Sequence, residues 1–539
     1  MNVDTKFFKP LTPGEGFAFN YTPSRLDRNA LFALNRTFDP DKISKVRTKY
    51  HRAHLNLDDL RSDLMEYSRP KVSRQVDDAY AAVFESVDQD VFGKTMIKPL
   101  THGAVASHPG LPKQKSPGLP LKTQGYRTKG EALADPKVIT AIRKQWYAIE
   151  RQEDVELPDV ACYARAQICS RDKNKVRATW GYPLTMYLTE GQYFYPLLDV
   201  IKEKAQPTIA YGIEIGNGGM QYIQEMLRYH GKKNYVIGDW SKFDKNVPAW
   251  LIRDAFKMMA RHIQWDVVVD VEGKEWPVNP AKSKRRWERM VNYFINTPIQ
   301  LSSGERFMKY GGVPSGSCFT NVVDGIVNAL ATRYLVYHMT GSLPLDDLYL
   351  GDDSIVITDK PLNMDVFSEK ADEWFSLIYN VDKSYQTANP QNVHFLGYYN
   401  MTGVPFKPVD TTIASSVYPE RMPRNKFETA VRLVGQAYSC FEPTDAKNFF
   451  RAAKILVNEM EGANLDMIKE FTADHPEFFK YLQTIGVSTK EGLSVPDCSS
   501  WDLVLLTLPH APKKKWRPRH YTIQDMLQLA QEAIDSESH

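Results

Sequence analysis

The segment Asp347–Asp359, DLYLGDDSIVITD, constrains the fold of this chain more than any other stretch. Leu348–Leu350 and Ser354–Thr358 are β-prone runs, and Gly351-Asp352-Asp353 makes a tight turn between them, so the segment reads as a hairpin. Adjacent aspartates at a hairpin tip repel one another, and hard divalent cations prefer such oxygen ligands. A related segment, NYVIGDWSKFDKNVP, lies at 234–248. There a short β-prone run, Tyr235–Ile237, leads to Asp239, and Asp244 follows five residues later. Each segment also has an ordinary reading as a solvated turn or helix cap. A Gly-Asp-Asp triplet arises by chance in roughly one chain in ten of this size. The triplet alone therefore decides nothing; order and combination do.

Between the two lies GGVPSGSCFTNVVDGIVNAL, residues 311–330. A Gly-Pro-Ser-Gly loop runs into a helix whose apolar stripe is Val323, Ile326, Val327 and Leu330. Thr320, Asp324 and Asn328 recur every four residues on another face. That row is either solvated or turned toward a ligand, and its place between two aspartate motifs favours a ligand.

The order D-x4-D, SG-x3-T, GDD resembles motifs A, B and C of viral RNA-dependent RNA polymerases. The nearest pattern is that of double-stranded RNA viruses of the picobirnavirus type, with partitiviruses next. SPGLP at 116–120 resembles motif G on the template path, and RDKNKVRATWGYP at 171–183 resembles the basic motif F. Asn380-Val381-Asp382-Lys383-Ser384 is similar to motif D, and HFLGYYN at 394–400 to motif E at the primer grip. Together they span about residues 116–400, over half the chain, in the family's order. One position departs from the widest pattern: Asp324 stands where asparagine is usual, with Asn328 one turn later. An acidic residue there fits the picobirnavirus–partitivirus branch. It leaves open whether Asp324 or Asn328 helps Asp244 read the sugar.

The resemblance implies an α+β right-hand polymerase with fingers, palm and thumb, the palm an antiparallel sheet backed by helices. Expected boundaries are an N-terminal region at 1–110 bridging fingers and thumb, fingers at 111–234 and palm at 235–254. A charged, aromatic stretch at 255–310 reads as a fingers insertion, followed by palm at 311–412, thumb at 413–510 and a basic tail at 511–539. Thr444 is the expected cap of a helix beginning PTDAKNFF. Within the tail, APKKKWRPRHY reads as a loop and not a helix, either a solvated arm or a segment entering the polymerase cavity.

Phosphoryl transfer asks for positioning and charge neutralisation. Asp239 and Asp352 are the expected principal ligands of two Mg2+ ions, with Asp353 supporting and Mn2+ able to substitute. Lys383 is the implied proton donor to pyrophosphate, or else an ordinary exposed lysine. Arg165, Arg171, Lys173, Lys175 and Arg177 lie within thirteen residues against one acid, Asp172. They make a solvated surface or a triphosphate cradle, with Arg177 the best fork-like contact. Lys113, Lys115, Lys122, Arg127 and Lys129 would line a template channel, with Ser116, Pro117 and Gly118 touching template. Asp244, Thr320 and either Asp324 or Asn328 would read the ribose, while Ser315 and Gly316 flank the nascent pair.

Composition fits this reading only when resolved along the chain. The 68 basic and 65 acidic residues of a 539-residue chain leave a net charge of +3, which conceals separate acidic and basic segments. Five scattered cysteines make neither a disulfide framework nor a zinc module and point to reduced thiols. No apolar run approaches the roughly 20 residues that span a bilayer, and no secretory signal is visible, so a soluble protein without a membrane partner is expected. The expected partners are RNA template and product, nucleoside triphosphates and a viral capsid protein. The expected location is the virion interior, with the host cytoplasm during replication. The competing readings are a reverse transcriptase, a two-metal nuclease, or a non-enzymatic RNA-binding protein with a structural ion. A reverse transcriptase would carry a bulky aromatic near Asp244 and Tyr or Phe before its paired aspartates, where this chain has Leu350-Gly351.

Overall fold

A computed structural model describes residues 6–499, apart from 22 and 24, and residues 511–538. The end of the expected thumb, 500–510, and the first five residues of the N-terminal region lie outside the described residues. The Gly-Asp-Asp hairpin forms as read: strands Asp346–Leu350 and Asp353–Thr358 pair antiparallel, with Leu350 opposite Asp353. Strand Asn234–Ile237 lies beside the second of these, and Tyr385–Thr387 closes a four-stranded antiparallel sheet. Side chains alternate across a sheet, and here the alternation divides two cores. Leu348, Ile355, Ile357, Tyr235 and Ile237 pack with the C-terminal helices, including Lys426–Tyr438 and Pro443–Asn458. Tyr349, Val356 and Val236 face the other way, toward the long helix Thr320–Thr340.

That helix is buried on all sides along Val322–Val336, because it runs between the four-stranded sheet and the N-terminal part of the chain. Its polar row is therefore not a solvated face: Thr320, Asp324 and Asn328 are all buried. A second, five-stranded sheet has the order Phe8–Leu11, Arg306–Lys309, Pro298–Gln300, Val160–Ala166, Val176–Gly181. The stretch 255–310 thus contributes two strands to the sheet that carries the basic segment. The helix Ala249–Ala260 and the helix Asp410–Val417 run through the junctions expected at 254 and 412.

Two local expectations are corrected. Glu442, not Thr444, caps the helix Pro443–Asn458; its carboxylate accepts from the Asp445 N–H. Pro443 takes the first helical position, where its missing N–H costs nothing, so Thr444 falls inside the first turn. The C-terminal segment is loop through APKKKWRPRHY as read, but it is docked and not a solvated arm, and a helix follows it. Ile523–Glu537 is a helix with a Thr522/Asp525 capping box, and it packs on the helix Ala79–Val91.

Ahead of that helix, the basic segment docks at the end of strand Asp346–Leu350 remote from the Gly-Asp-Asp turn. Trp516 donates its indole N–H to Asp346 at 2.5 Å, and Arg519 donates to Asp347 at 2.8 Å. Arg333, from the long helix, forks onto the same carboxylate at 2.7 and 2.9 Å and also reaches Asp90 at 2.8 Å. Burial alone would raise Asp347, yet Arg333 and Arg519 hold it down at about 2. Removing one member of a buried charge network leaves its partners uncompensated. Asp347→Asn is expected to cost about 3–5 kcal/mol of stability, read as a lowered urea midpoint. Lys233→Ala, which breaks an exposed pair with Asp359, is expected to cost less than about 1 kcal/mol.

Candidate active site

The four-stranded sheet brings the two aspartate segments together at one end. Asp239 follows its strand by two residues and is fixed through its backbone. Its N–H donates to Ser384 Oγ at 2.9 Å, and its carbonyl accepts from Asn380 N–H at 2.8 Å. The motif D turn is thereby tied to motif A, with Lys383 exposed upon it. The Gly-Asp-Asp turn needs φ of +59° at Gly351, a conformation that glycine takes without strain. Asp352 is exposed at the turn, but surrounding protein raises its pKa, helped by Asp244 and Asp239 and opposed by Arg177. Asp353 turns back: its carboxylate accepts from Leu396 N–H at 2.7 Å and from its neighbour Ser354, which links motif C to motif E. Burial is the chief reason its pKa is pushed up to about 7.

Asp324 and Asn328 occupy different surroundings. Asp324 is buried against Asp244, and burial, then Asp244, then Asp352 hold its pKa well above the usual carboxylate range. One of its oxygens, Oδ1, has no hydrogen-bond partner. Asn328 is engaged by other groups. Its amide donates to the Gly351 carbonyl at 3.2 Å and accepts from Trp240 Nε1 at 3.1 Å and Thr332 Oγ1 at 3.0 Å. It is a clamp between motifs A and C.

Thr320 likewise pins the loop ahead of its helix, donating to Pro314 O at 2.6 Å. Ser315 Oγ accepts from Trp180 N–H at 3.1 Å. At Gly316 a Cβ would stand 1.6 Å from Trp180 O, so only glycine allows the loop to lie against the basic strand. Beneath this loop Glu190, unanticipated in the sequence, accepts from Ser317 Oγ at 2.5 Å and Cys318 N–H at 3.0 Å.

The basic residues part company. Arg177 is the one whose charge acts on Asp352. Arg165 forks onto Glu420 at 3.1–3.2 Å, and Arg171 turns to the Arg47 carbonyl and Tyr418 hydroxyl. Lys173 and Lys175 are exposed at the tip between the strands. Ser116 Oγ bonds Tyr163 OH at 2.6 Å and accepts from Gly118 N–H, while Pro117 O accepts from Leu184 N–H. Lys129, expected to present its charge to template, is instead buried with its ammonium on Ser116 O at 2.6 Å; burial lowers its pKa to about 8. Arg127 remains largely exposed beside Glu131, and Lys113 is exposed. Lys122 lies over the Tyr163 ring at 4.6 Å. Lys115 feels Lys480, Arg421 and Arg165. Arg421 and Lys480 carry no local sequence signal; only the fold brings them near Lys115.

The carboxylates fit a hard divalent cation in chemistry: oxygen donors whose crowding and burial penalise their own charge. Among the described residues, no three such side chains close into a group that could hold a metal ion as they stand. No described helix is long and apolar enough to cross a membrane.

A sequence profile described as viral RNA-dependent RNA polymerase matches residues 37–422. The RNA-directed RNA polymerase of Cryptosporidium parvum virus 1 is 28% identical over 354 residues, covering 61% of this chain and 63% of the relative. That of Atkinsonella hypoxylon virus is 25% identical over 317 residues, 51% of this chain and 47% of the relative. The chain thus spans about half to three-fifths of the length of the curated relatives it matches. Among solved structures, an insertion-loop deletion mutant of the RNA-dependent RNA polymerase of a human picobirnavirus superposes with a TM-score of 0.64 at 15% identity. That match covers 90% of this chain and 98% of the other, so the two share the α+β polymerase fold.

Burial, opposed by the hydrogen bonds from Ser317 and Cys318, raises Glu190 to about 8, far above its unfolded range. The native state therefore holds a proton that the unfolded chain gives up near pH 4.5. The stability this contributes is fully present below that pH and is lost as pH rises toward 8. Glu190→Gln, which mimics the neutral acid, should match wild type near pH 5. It should gain on wild type by up to about 1.4 kcal/mol per pH unit toward pH 8. Unfolding midpoints measured across that range check this; a constant difference would contradict it.

Proposed function

The chain belongs to the viral RNA-dependent RNA polymerases, and from that premise we propose that it carries out template-directed RNA synthesis by nucleotidyl transfer. The observation that carries the reading is the gathering of Asp239, Asp244, Asp324 and Asp352 at one sheet end, with Arg177 acting on Asp352. Carboxylates alone repel a triphosphate; a cationic side chain beside them supplies what an incoming nucleotide needs.

Asp239 and Asp352, with Asp353 behind them, would hold two divalent ions, magnesium by preference and manganese as a substitute. When bound, the ions neutralise charge on the attacking 3′-oxygen and the leaving pyrophosphate. Arg177, from strand Val176–Gly181 of the five-stranded sheet, neutralises phosphate charge. Lys383, on the turn fixed to Asp239, is the proposed proton donor to pyrophosphate. Asp244 accepts a hydrogen bond from the 2′-hydroxyl, and Asp324 packs behind it. Ser315 and Gly316 border the nascent pair, and Ser116–Gly118 guide the template. Position 244 carries a carboxylate, not a bulky aromatic, which favours ribonucleotides over the deoxyribonucleotides of a reverse transcriptase. A nuclease would have no use for Arg177 at triphosphate reach.

We read residues 111–234 and 255–310 as fingers, 235–254 and 311–412 as palm, and the helices from 413 as thumb. The residues before 110 bridge fingers and thumb. The same reading proposes a double-stranded RNA viral genome as the template replicated and transcribed, a capsid protein as partner, and work inside the virion or host cytoplasm.

Purified protein, given an RNA template and ribonucleotides with magnesium, should extend RNA. Asp352→Ala should lower incorporation about a hundredfold or more, and chelation should abolish it. Incorporation that is indifferent to both would leave only an RNA-binding role. Asp244→Asn should reduce the preference for ribonucleotides over 2′-deoxyribonucleotides more than it reduces the maximal rate.

A further inference from the structure

The N-terminal region carries no recognisable motif, yet one of its segments meets the A, B and F motifs at once. Helix Leu57–Met65 continues into a single 3-10 turn, Glu66–Ser68. Glu66 lies between two lysines of motif A: Oε1 takes Lys242 Nζ at 2.7 Å and Oε2 takes Lys245 Nζ at 2.9 Å. Asp63 takes Lys245 as well, and its other oxygen accepts from Ala178 N–H at 2.8 Å, the residue after Arg177. Tyr67 donates to Val313 O at 2.8 Å, and Val313 N–H in turn donates to the carbonyl of Asp244 at 2.6 Å.

What Glu66 grips is a turn that needs gripping. Lys242 has φ of +52°, the left-handed region that an L side chain rarely adopts, and it leads directly into the one-turn helix Phe243–Asn246 that carries Asp244. Such a conformation persists only where the surroundings over-determine it. A four-residue helix has almost no stability of its own. Exposed ion pairs ordinarily contribute little, but Lys245 and Asp63 are only 15% and 16% exposed, and both lysines converge on one carboxylate. The Lys242–Glu66 pair alone would be weak; the bidentate arrangement spans the turn from end to end.

We propose that Glu66, assisted by Asp63, is a specificity-determining positioning residue. By holding Lys242 and Lys245 it fixes where the Asp244 carboxylate stands, and so sets the preference for ribonucleotides over 2′-deoxyribonucleotides. It touches neither substrate nor reacting atoms. This rests on the reading of Asp244 as the sugar contact.

The test compares kcat/KM for a ribonucleotide and its 2′-deoxy counterpart on one RNA template, using the full chain. Wild type, Asp244→Asn, Glu66→Gln and Lys242→Gln are measured, with Glu305→Gln, which breaks an exposed pair with Arg61 elsewhere, as a control. Glu66→Gln and Lys242→Gln are each expected to lower discrimination about five- to tenfold. The loss should fall in KM for the ribonucleotide and in gained use of the deoxynucleotide, with kcat for the ribonucleotide within about threefold of wild type. Glu305→Gln should keep the wild-type ratio. Wild type without discrimination, or Asp244→Asn without effect on it, would remove the sugar reading and this inference with it. Lowered discrimination in Asp244→Asn, together with a wild-type ratio in Glu66→Gln or Lys242→Gln, would overturn the inference and leave the sugar reading standing. Lys242 is half-exposed, so its variant decides the matter should Glu66→Gln fail to fold.

Discussion

Bringing Asp239, Asp244, Asp324 and Asp352 to one sheet end sets like charges against one another, and the rest of the structure is arranged to withstand that repulsion. The restraints closest to the cluster are neutral. Asn328 joins the Gly351 carbonyl to the Trp240 indole. Ser384 and Asn380 hold the Asp239 backbone from both sides. Leu396 N–H holds Asp353 from behind. Neutral hydrogen-bonding groups fix position without cancelling the charge that a cation or a phosphate-bearing ligand would meet. A direct ion pair to Asp352 would have steadied the turn and disabled it.

The same strand is treated oppositely at its other end. Asp347 lies between Arg333 and Arg519, and its charge is matched there, so the hairpin is anchored electrostatically where no substrate is needed. Asp347, in the strand, and Asp352, in the turn that follows it, are five residues apart. Compensated charge at one end and uncompensated charge at the other is a division of labour between stability and chemistry. It also explains the basic C-terminal residues, whose composition resembles a nucleic-acid arm but whose docked side chains include Trp516 on Asp346 and Arg519 on Asp347.

The aspartate end was legible from sequence because its signals are local. A turn, a β-prone run and a spacing of five residues place Asp239, Asp244 and the hairpin without knowledge of the tertiary fold. Polar residues at helical spacing on Thr320–Thr340 were legible as one face, but periodicity cannot separate Asp324 from Asn328. That distinction depends on whether a side chain meets Asp244 or the Gly351 carbonyl. The basic segment was legible as a charge cluster, yet strand alternation and distant partners decide which charges remain free. Arg165 is taken up by Glu420, 255 residues away. Glu66, Glu190, Arg421 and Lys480 had no local signature, since each acquires its role from a contact made by the fold. The C-terminal helix was missed because the Pro- and Lys-rich stretch before it dominates the composition, although Thr522 and Asp525 mark its start.

The strand Phe8–Leu11 finds its partner in Arg306–Lys309, and this has a consequence for biosynthesis. Ribosomes add about 5–20 residues per second, so roughly 15–60 s separates the emergence of these two strands. Through that interval the early strand has no ladder to join, and Asp63 and Glu66 wait roughly three-fifths as long for the lysines they will hold. Contacts of such sequence separation close late and slowly. The nascent chain therefore carries an unpaired edge until Arg306–Lys309 has left the ribosome, and an incomplete aspartate cluster until Asp352 has followed, which makes its folding depend on how well that edge is kept from other chains.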